Sequence, residues 1–121
     1  MNNYFLDLHR GDVVIADLGD CGNNHLFGKR RGCILISNEL CNKHSPVLSI
    51  VCLSSNTSEA KTKLPTRVLV TSQECGMSRD CTVACEQIIS IDRNKIKRRV
   101  GSLNYSVMNK IDDAVRIQLA L

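Results

Sequence analysis

The sequence predicts a mostly β or α+β fold, a strongly bent antiparallel sheet or barrel with a C-terminal amphipathic helix. Short apolar runs alternate with turn residues as far as residue 91, and helical periodicity is concentrated after it. Because 121 residues suffice to bury one hydrophobic core, we expect a single domain over residues 1–121. The composition, 43% hydrophobic and 23% charged, is typical of a folded globular chain rather than a disordered one.

Five segments have the composition and spacing of β-strands. Each is rich in β-branched or apolar residues and is bounded by glycine, proline, asparagine or serine. The last is long enough to contain a bend. The predicted strands are DVVIADL (12–18), GCILISN (32–38), VLSIVCLSS (47–55), TRVLVT (66–71) and CTVACEQIISI (81–91).

Two helices are predicted near the C-terminus. The segment DRNKIKRR (92–99) predicts a short helix ending at Gly101, with Asp92 near its N-terminus and cations near its C-terminus. The segment 104–121 predicts a longer helix with Asn104 as its N-cap. Its expected buried face carries Val107, Ile111, Ala114, Val115 and Leu119.

Charge and hydropathy restrict the partners and the location of the protein. The 16 lysines and arginines exceed the 12 acids, and the formal net charge of +4 would assist a polyanionic partner without identifying one. No apolar stretch approaches the roughly 20 residues of a membrane-spanning helix. The first ten residues also lack the pattern of a signal peptide. We therefore predict a cytoplasmic protein with no membrane association.

Cysteine and histidine spacing gives no indication of a metal site. The seven cysteines include no C-x-x-C pair, and an odd number without a secretory signal argues against a disulfide framework. We interpret Cys33, Cys52, Cys81 and Cys85 as small apolar strand residues. The three histidines lie in unrelated segments, and the common motifs for nucleotide binding, zinc proteases and serine hydrolases are absent. No metal or other cofactor is expected.

Six segments, in the same order along most of the chain, resemble the MazF/PemK (Kid) family of toxin endoribonucleases from type II toxin–antitoxin pairs. Any one of these short motifs would carry little weight, but their order makes the resemblance specific. The matching segments are RGDVVIADL (10–18), RRGCILISN (30–38), NKHSPVLSIVCLSS (42–55), KLPTRV (63–68), EQIISID (86–92) and the final amphipathic run.

The resemblance implies a fold, an activity and a set of partners. It implies an SH3-like (CcdB/PemK-type) barrel, a homodimer, and metal-independent, sequence-specific cleavage of single-stranded RNA. The implied reaction is attack by the 2′-hydroxyl, giving 2′,3′-cyclic phosphate and 5′-hydroxyl ends. The implied protein partner is a MazE-like antitoxin whose acidic C-terminal segment blocks the RNA groove. Motif matching assigns the catalytic arginine to Arg31, with Arg30 as the alternative, and the catalytic hydroxyl to Ser54.

The resemblance and the local sequence also suggest residues that contact RNA. For several of them a structural role is an equally good interpretation. Phe27 either stacks on a base or is buried against a strand, and Lys29 and Arg30 either contact phosphates or form a solvated charge run. Glu86 either works near the RNA or forms a structural ion pair. The full set is Phe27, Gly28, Lys29, Arg30, Ser55, Asn56, Glu86 and Gln87.

The chain departs from the family pattern in places that concern specificity and activity. The acid common in the family's first loop is missing, and whether His25 replaces it is left open. Gly32 stands where the family has proline, and Ser54 stands where threonine is usual. Loops 19–30 and 56–63, which would select the bases, differ most. The alternative function is a catalytically degenerate relative that binds an antitoxin or nucleic acid as a regulator. A CcdB-type gyrase poison is disfavoured because the chain has no tryptophan.

Overall fold

The computed structural model describes residues 7–20 and 27–121, and these residues form an antiparallel sheet with helices in its connections and at its C-terminal end. Cys21 and His25 lie outside the described residues. The elements are β1 (Asp12–Asp17), β2 (Arg30–Leu35), α1 (Glu39–His44), β3 (Val47–Ser54), α2 (Glu59–Thr62), β4 (Arg67–Val70), α3 (Ser72–Cys75), β5 (Cys81–Asp92), β6 (Ile96–Ser102) and α4 (Tyr105–Leu119).

The sheet has six strands in the order β4-β5-β3-β2-β1-β6. Strand β5 bends beside β3: Val51 pairs with Ile88 whereas the next residue, Cys52, pairs with Ala84. This bulge turns the sheet sharply, as bulges do. The predicted bent antiparallel sheet and the bend in its long strand are therefore confirmed. The pairing of the described strands stays open rather than closing into a barrel, and α3 packs against β6 near the opening.

The five predicted strands are confirmed, with ends that differ by up to three residues. The helix predicted over 92–99 is wrong. Residues 93–95 form a single 3₁₀ turn, whose Asn94 N–H donates to the side chain of Asp92, and the chain then continues as β6. Ile96 is fully buried and β6 pairs with β1 through two bulges, so tertiary pairing overrides the helical charge pattern.

The helices α1, α2 and α3 were not predicted from the sequence. They are only 6, 4 and 4 residues long, too short to develop an apolar period. Local capping accounts for two of them. The side chain of Asn38 accepts from the Cys41 N–H, and Thr71 forms a reciprocal capping box with Glu74.

The helix α4 covers one face of the sheet by packing on β4 and β5. Its predicted N-cap is confirmed, because Asn104 Oδ1 accepts from the Val107 N–H at 2.9 Å. Val107, Ile111 and Ala114 are buried as expected, but Leu119 is 51% exposed because the last turn extends beyond the sheet. No helix among the described residues combines the length and apolar character needed to cross a membrane.

Both faces of the central strands β2 and β3 are buried. One hydrophobic cluster, under α4, contains Ile34 and Val51, and a second cluster on the opposite face contains Cys33, Leu35 and Cys52. Neighbouring residues of a strand point to opposite faces, so a continuous apolar run fills both clusters at once. Cys33, Cys52, Cys81 and Cys85 are buried on strands, as predicted.

Ile111 is the residue of α4 whose loss should destabilise the fold most. Its side chain is fully buried, so Ile111→Ala is expected to lower the free energy of unfolding by about 2 to 5 kcal/mol through lost burial and a residual cavity. Ile117→Ala is the matched control on the same helix. Ile117 is 54% exposed, and its replacement should change stability by no more than about 0.5 kcal/mol. Equal losses in urea titrations of the two variants would contradict the packing described for α4.

Candidate active site

The cationic segment 29–31 is positioned by a tight backbone closure at the base of the loop between β1 and β2. The Leu18 N–H donates to the Lys29 carbonyl at 2.8 Å, and the Lys29 N–H donates to the Gly19 carbonyl at 2.5 Å. Lys29 itself has a left-handed φ of 63°, which is uncommon for a residue with a side chain. This conformation directs the chain into β2, so that Arg30 and Arg31 open the strand on opposite faces.

Arg31 points to the face of the second hydrophobic cluster and is held there by two contacts. Its Nη1 donates to the Leu53 carbonyl at 3.0 Å, and its guanidinium carbon lies 4.2 Å from the centre of the Phe27 ring. A guanidinium over an aromatic face gains a cation–π attraction. Arg31 Nε is buried and has no hydrogen-bond partner within the described part of the chain. The guanidinium is therefore fixed in place while keeping donors for another acceptor.

Ser54 lies on the neighbouring strand next to Arg31. In the β2–β3 register Cys33 pairs with Cys52, and extending that register by two residues places Arg31 opposite Ser54. Ser54 is 9% exposed, and its Oγ accepts from the Asn56 N–H at 3.1 Å. Because this contact uses a lone pair, the Ser54 hydroxyl hydrogen is left to donate. The two predicted catalytic residues therefore share one face at one end of the sheet.

Arg67 and Glu86 form a partly buried ion pair on the same face, beyond Ser54. Arg67 Nε donates to both carboxylate oxygens of Glu86, at 3.0 and 2.9 Å, and Arg67 Nη2 donates to Oε2 at 2.6 Å. The Arg67 side chain is 4% exposed and that of Glu86 28%. Burial alone would raise the pKa of Glu86, but the hydrogen bonds and charge of Arg67 outweigh it and hold that pKa below its ordinary value.

A chain of hydrogen bonds connects this ion pair to Ser54. Arg67 Nη1 donates to Thr82 Oγ1, and Thr82 Oγ1 donates to the Asn56 carbonyl, both at 3.1 Å. The Asn56 N–H then donates to Ser54 Oγ. The orientation of the Ser54 hydroxyl thus depends on the backbone of Asn56, which Thr82 and Arg67 hold in place.

Arg31, Ser54 and the Arg67–Glu86 pair form a groove on this face of the sheet. Several of the other predicted site residues lie in the same groove. The Phe27 N–H donates to Gln87 Oε1 at 3.2 Å, which ties the base of the first loop to β5. Phe27 is half-buried and packs on the second hydrophobic cluster, in agreement with the interpretation of burial against a strand. Glu86 has its predicted structural ion-pair partner in Arg67.

The remaining candidates lie at the rim of the groove. Lys29 and Arg30 are exposed, and Arg30 stands opposite Asp17 of β1. Ser55 and Asn56 are exposed directly after β3, and Gly28 is half-buried beside Phe27. An open cleft of about 310 Å³ joins Arg30 and Arg31 to Ser55 and to an arginine that sequence analysis did not select, Arg79.

Besides Arg79, the site residues that were not predicted from the sequence are Arg67 and Thr82. The strand pattern TRVLVT gives no reason to separate Arg67 from an ordinary surface cation, and Thr82 is a common strand residue. One signal was available. Glu86 directly follows the apolar strand residues 83–85, and a carboxylate in that position needs a cationic partner nearby. The bend that brings this partner to β5 is not visible in the sequence.

Another hollow of the described structure, of about 550 Å³, lies between residues 7–9 and α1. None of the predicted site residues lines this hollow. Arg93 forms part of its wall and donates hydrogen bonds to the Asn42 and Ser45 carbonyls. Within residues 7–20 and 27–121, no group of three or more histidine, cysteine or acidic side chains is arranged to hold a metal ion.

The groove therefore combines a fixed guanidinium, an oriented hydroxyl and a rim of exposed cations on a bent antiparallel sheet. This donor set suits a phosphodiester, because a guanidinium forks against two phosphate oxygens and exposed cations follow a polyanionic backbone. Fold and groove together define the class of small β-sheet proteins that bind nucleic acid.

Comparison with known proteins identifies the family within this class. The model of the PemK-like, MazF-like toxins of type II toxin–antitoxin systems matches residues 9–119, and the chain belongs to this family. The Endoribonuclease EndoA of Bacillus subtilis (strain 168) is 33% identical over 112 residues, covering 93% of this chain and 94% of the relative. The Endoribonuclease MazF of Staphylococcus epidermidis is 30% identical over 114 residues, covering 94% and 92%.

A solved structure agrees with this assignment at the level of the fold. A mycobacterial endoribonuclease, determined in complex with its cognate antitoxin, superposes with a TM-score of 0.70 over 94% of both chains at 23% sequence identity. The family model confirms the predicted resemblance. The superposition confirms the fold, a bent antiparallel sheet with a C-terminal helix.

The ion pair of Glu86 should give the stability of the protein a defined pH dependence. Because its pKa in the fold lies below the ordinary value of 4.5, ionised Glu86 stabilises the fold above that pH. The contribution is then lost as the pH falls through the lowered pKa. We expect the difference in unfolding free energy between wild type and Glu86→Gln to be largest near neutral pH and to narrow at lower pH. Urea titrations at successive pH values measure it.

Arg67→Gln provides the control for this effect. Removal of the guanidinium removes the hydrogen bonds that lower the Glu86 pKa, so this variant should lose the same pH-dependent component. A difference between wild type and Glu86→Gln that stays constant from about pH 7 to about pH 3 would contradict the pairing.

Proposed function

We propose that the protein is the toxin of a toxin–antitoxin pair and a metal-independent endoribonuclease of single-stranded RNA, acting in the cytoplasm as a homodimer. The observation that supports the mechanism is that Arg31 and Ser54 share one face, opposite each other when the β2–β3 register is extended by two residues. Family membership supports the activity, since the curated relatives are named endoribonucleases. The antitoxin complex solved for a structural neighbour supports an antitoxin as partner.

In the proposed reaction the 2′-hydroxyl of the RNA attacks the adjacent phosphorus. Negative charge then builds on the nonbridging oxygens and the 5′-oxygen departs, leaving a 2′,3′-cyclic phosphate and a 5′-hydroxyl. Arg31 donates to the nonbridging oxygens, where a preorganised charge stabilises the transition state more than the ground state. Within the described part of the chain, Nη1 donates to the Leu53 carbonyl, which holds the guanidinium with Nη2 left to donate to the phosphate. Ser54 donates its hydroxyl hydrogen to the same phosphate.

The remaining groove residues bind and position the RNA strand. Lys29 and Arg30 contact phosphates at the rim, and Ser55 and Asn56 contact the strand beyond the cut. Gln87 and Gly28 maintain the loop base beside Phe27, whose ring supports the Arg31 guanidinium from below. Glu86 acts through Arg67 by fixing the segment that orients Ser54. The acidic segment of the antitoxin competes for the same cations.

The roles of the two arginines separate in a cleavage assay. Arg31→Ala should lower the single-turnover cleavage rate by about 100- to 1,000-fold, the usual loss for one preorganised donor. Arg31→Lys should recover little of it, because an ammonium lacks the planar fork. Arg30→Ala is the matched control and should lose less than about tenfold, as one exposed phosphate contact. A larger loss in Arg30→Ala than in Arg31→Ala would transfer the catalytic role to Arg30.

The nucleophile is tested on the RNA itself. Protein free of antitoxin is incubated with long single-stranded RNA in EDTA, and the cut ends are mapped by primer extension. A single 2′-deoxy substitution at the mapped cut should abolish cleavage there, because the attacking hydroxyl is missing. Binding of the substituted RNA should be almost unchanged. Folded wild-type protein that leaves several RNAs intact would favour the degenerate, regulatory relative.

A further inference from the structure

Two thiols lie directly beneath the candidate active site. Cys33 on β2 and Cys52 on β3 are both fully buried in the second hydrophobic cluster. Cys33 is two residues from Arg31, and Cys52 is two residues from Ser54, so each shares a face with its neighbour in the site. The proposed reaction uses neither thiol.

The register places these two thiols in the geometry of a cross-strand pair. Cys33 and Cys52 are direct partners in the β2–β3 ladder. The Ile36 N–H donates to the Ser49 carbonyl at 3.0 Å, which marks that opposed pair as hydrogen-bonded. Pairs alternate along an antiparallel ladder, so Cys33 and Cys52 form a non-hydrogen-bonded pair, with Cα atoms about 4.5 Å apart and side chains closer than elsewhere.

The surroundings of the two thiols differ, and this difference decides which of them loses its proton more readily. The Cys33 S–H donates to the Arg31 carbonyl at 3.5 Å, so Cys33 is the sulfur that retains its proton. Its strand partner Cys52 is therefore the sulfur that attacks. The adjacent Cys33 thiol and the Arg31 charge lower the pKa of Cys52 despite its burial, in agreement with this assignment.

We propose that Cys33 and Cys52 are a redox-sensitive pair that a peroxide converts into a cross-strand disulfide. In the first step the Cys52 thiolate attacks one oxygen of hydrogen peroxide, the O–O bond breaks, and hydroxide leaves with a sulfenic acid formed on Cys52. Cys33 sulfur then attacks Cys52 sulfur, the S–O bond breaks, and the Cys33 proton leaves with the oxygen as water. Two thiols are oxidised and one peroxide is reduced to two waters.

The disulfide would disturb the site above it. Disulfides favour Cα separations of about 5.5 to 6 Å, compared with about 4.5 Å for a non-hydrogen-bonded pair. Closing the bond therefore draws the pair toward this wider separation and moves β2 and β3 by up to about 1 Å relative to each other beneath Arg31 and Ser54. A misplacement of this size in an active site costs on the order of 100-fold in rate. This consequence for cleavage rests on the proposed function, whereas formation of the disulfide does not.

A second thiol pair in the same chain provides an internal comparison. Cys75 and Cys81 are also neighbours, but they lie in the first hydrophobic cluster, beneath α4, and the Cys81 S–H donates to the Arg79 carbonyl at 3.5 Å. Burial raises the pKa of Cys81 to about 11, and the opposing charge of Arg79 does not offset it. This pair is therefore expected to react more slowly than Cys33 and Cys52.

The test combines peptide mapping with a cleavage assay on the same samples. Folded full-length protein is treated with hydrogen peroxide, remaining thiols are blocked, and tryptic peptides are analysed by mass spectrometry. We expect a peptide pair linking residues 32–43 to 44–61, with fragment ions placing the bond between Cys33 and Cys52. RNA cleavage should fall about 10- to 100-fold and return with dithiothreitol. Cys33→Ala and Cys52→Ala, shown by circular dichroism to be folded, should form no such link and should keep cleaving RNA after peroxide.

Each contrary result is informative about a different claim. Absence of the link in folded protein, or its appearance only after unfolding, would overturn the proposed thiol pair. Complete linkage with undiminished cleavage would overturn its effect on the site. Failure of the fully reduced wild-type protein to cut any RNA would instead contradict the proposed function, and the peptide map would still decide whether the pair is oxidised.

Discussion

The pairing of β2 with β3 is the constraint on which the rest of the molecule depends. These two strands occupy the middle of the sheet, and their apolar residues supply both hydrophobic clusters. Extended by two residues, the same register sets Arg31 opposite Ser54. Because side chains alternate with a period of two, a slip of one residue would send Arg31 into the opposite cluster and separate it from Ser54. The burial of this ladder therefore maintains the geometry of the site.

The ion pair of Arg67 and Glu86 positions part of the site in addition to stabilising the fold. A buried pair of charges is seldom more stabilising than apolar residues of the same volume, because desolvation opposes the attraction. Here the arginine has a third contact, to Thr82, and through Asn56 it reaches the Ser54 hydroxyl. Through these contacts the pair holds the segment after β3. Besides its pH-dependent effect on stability, it therefore orients the Ser54 hydroxyl.

Sequence patterns were sufficient for the elements whose burial is local and periodic. The strands and the buried face of α4 could be predicted because their apolar residues recur at a fixed spacing, and Asn104 because capping needs only neighbours in sequence. Arg31 and Ser54 could be selected because family motifs flank them. Arg67 could not, since its role depends on a bend in β5 that brings two distant segments together. Short helices such as α3 were missed because one turn has no period to detect.

The features of β6 that led to the wrong helix prediction are also the features that protect this edge of the sheet. It forms one edge of the sheet, pairs with β1 through two bulges, and exposes Lys97, Arg98 and Arg99. Dense charge and broken alternation resemble a helix in sequence. At an edge they are also the features that prevent another chain from adding a strand. A sheet with an open edge can otherwise pair with further chains and grow into a fibre. The bulges and positive charges of β6 prevent another chain from pairing with this edge.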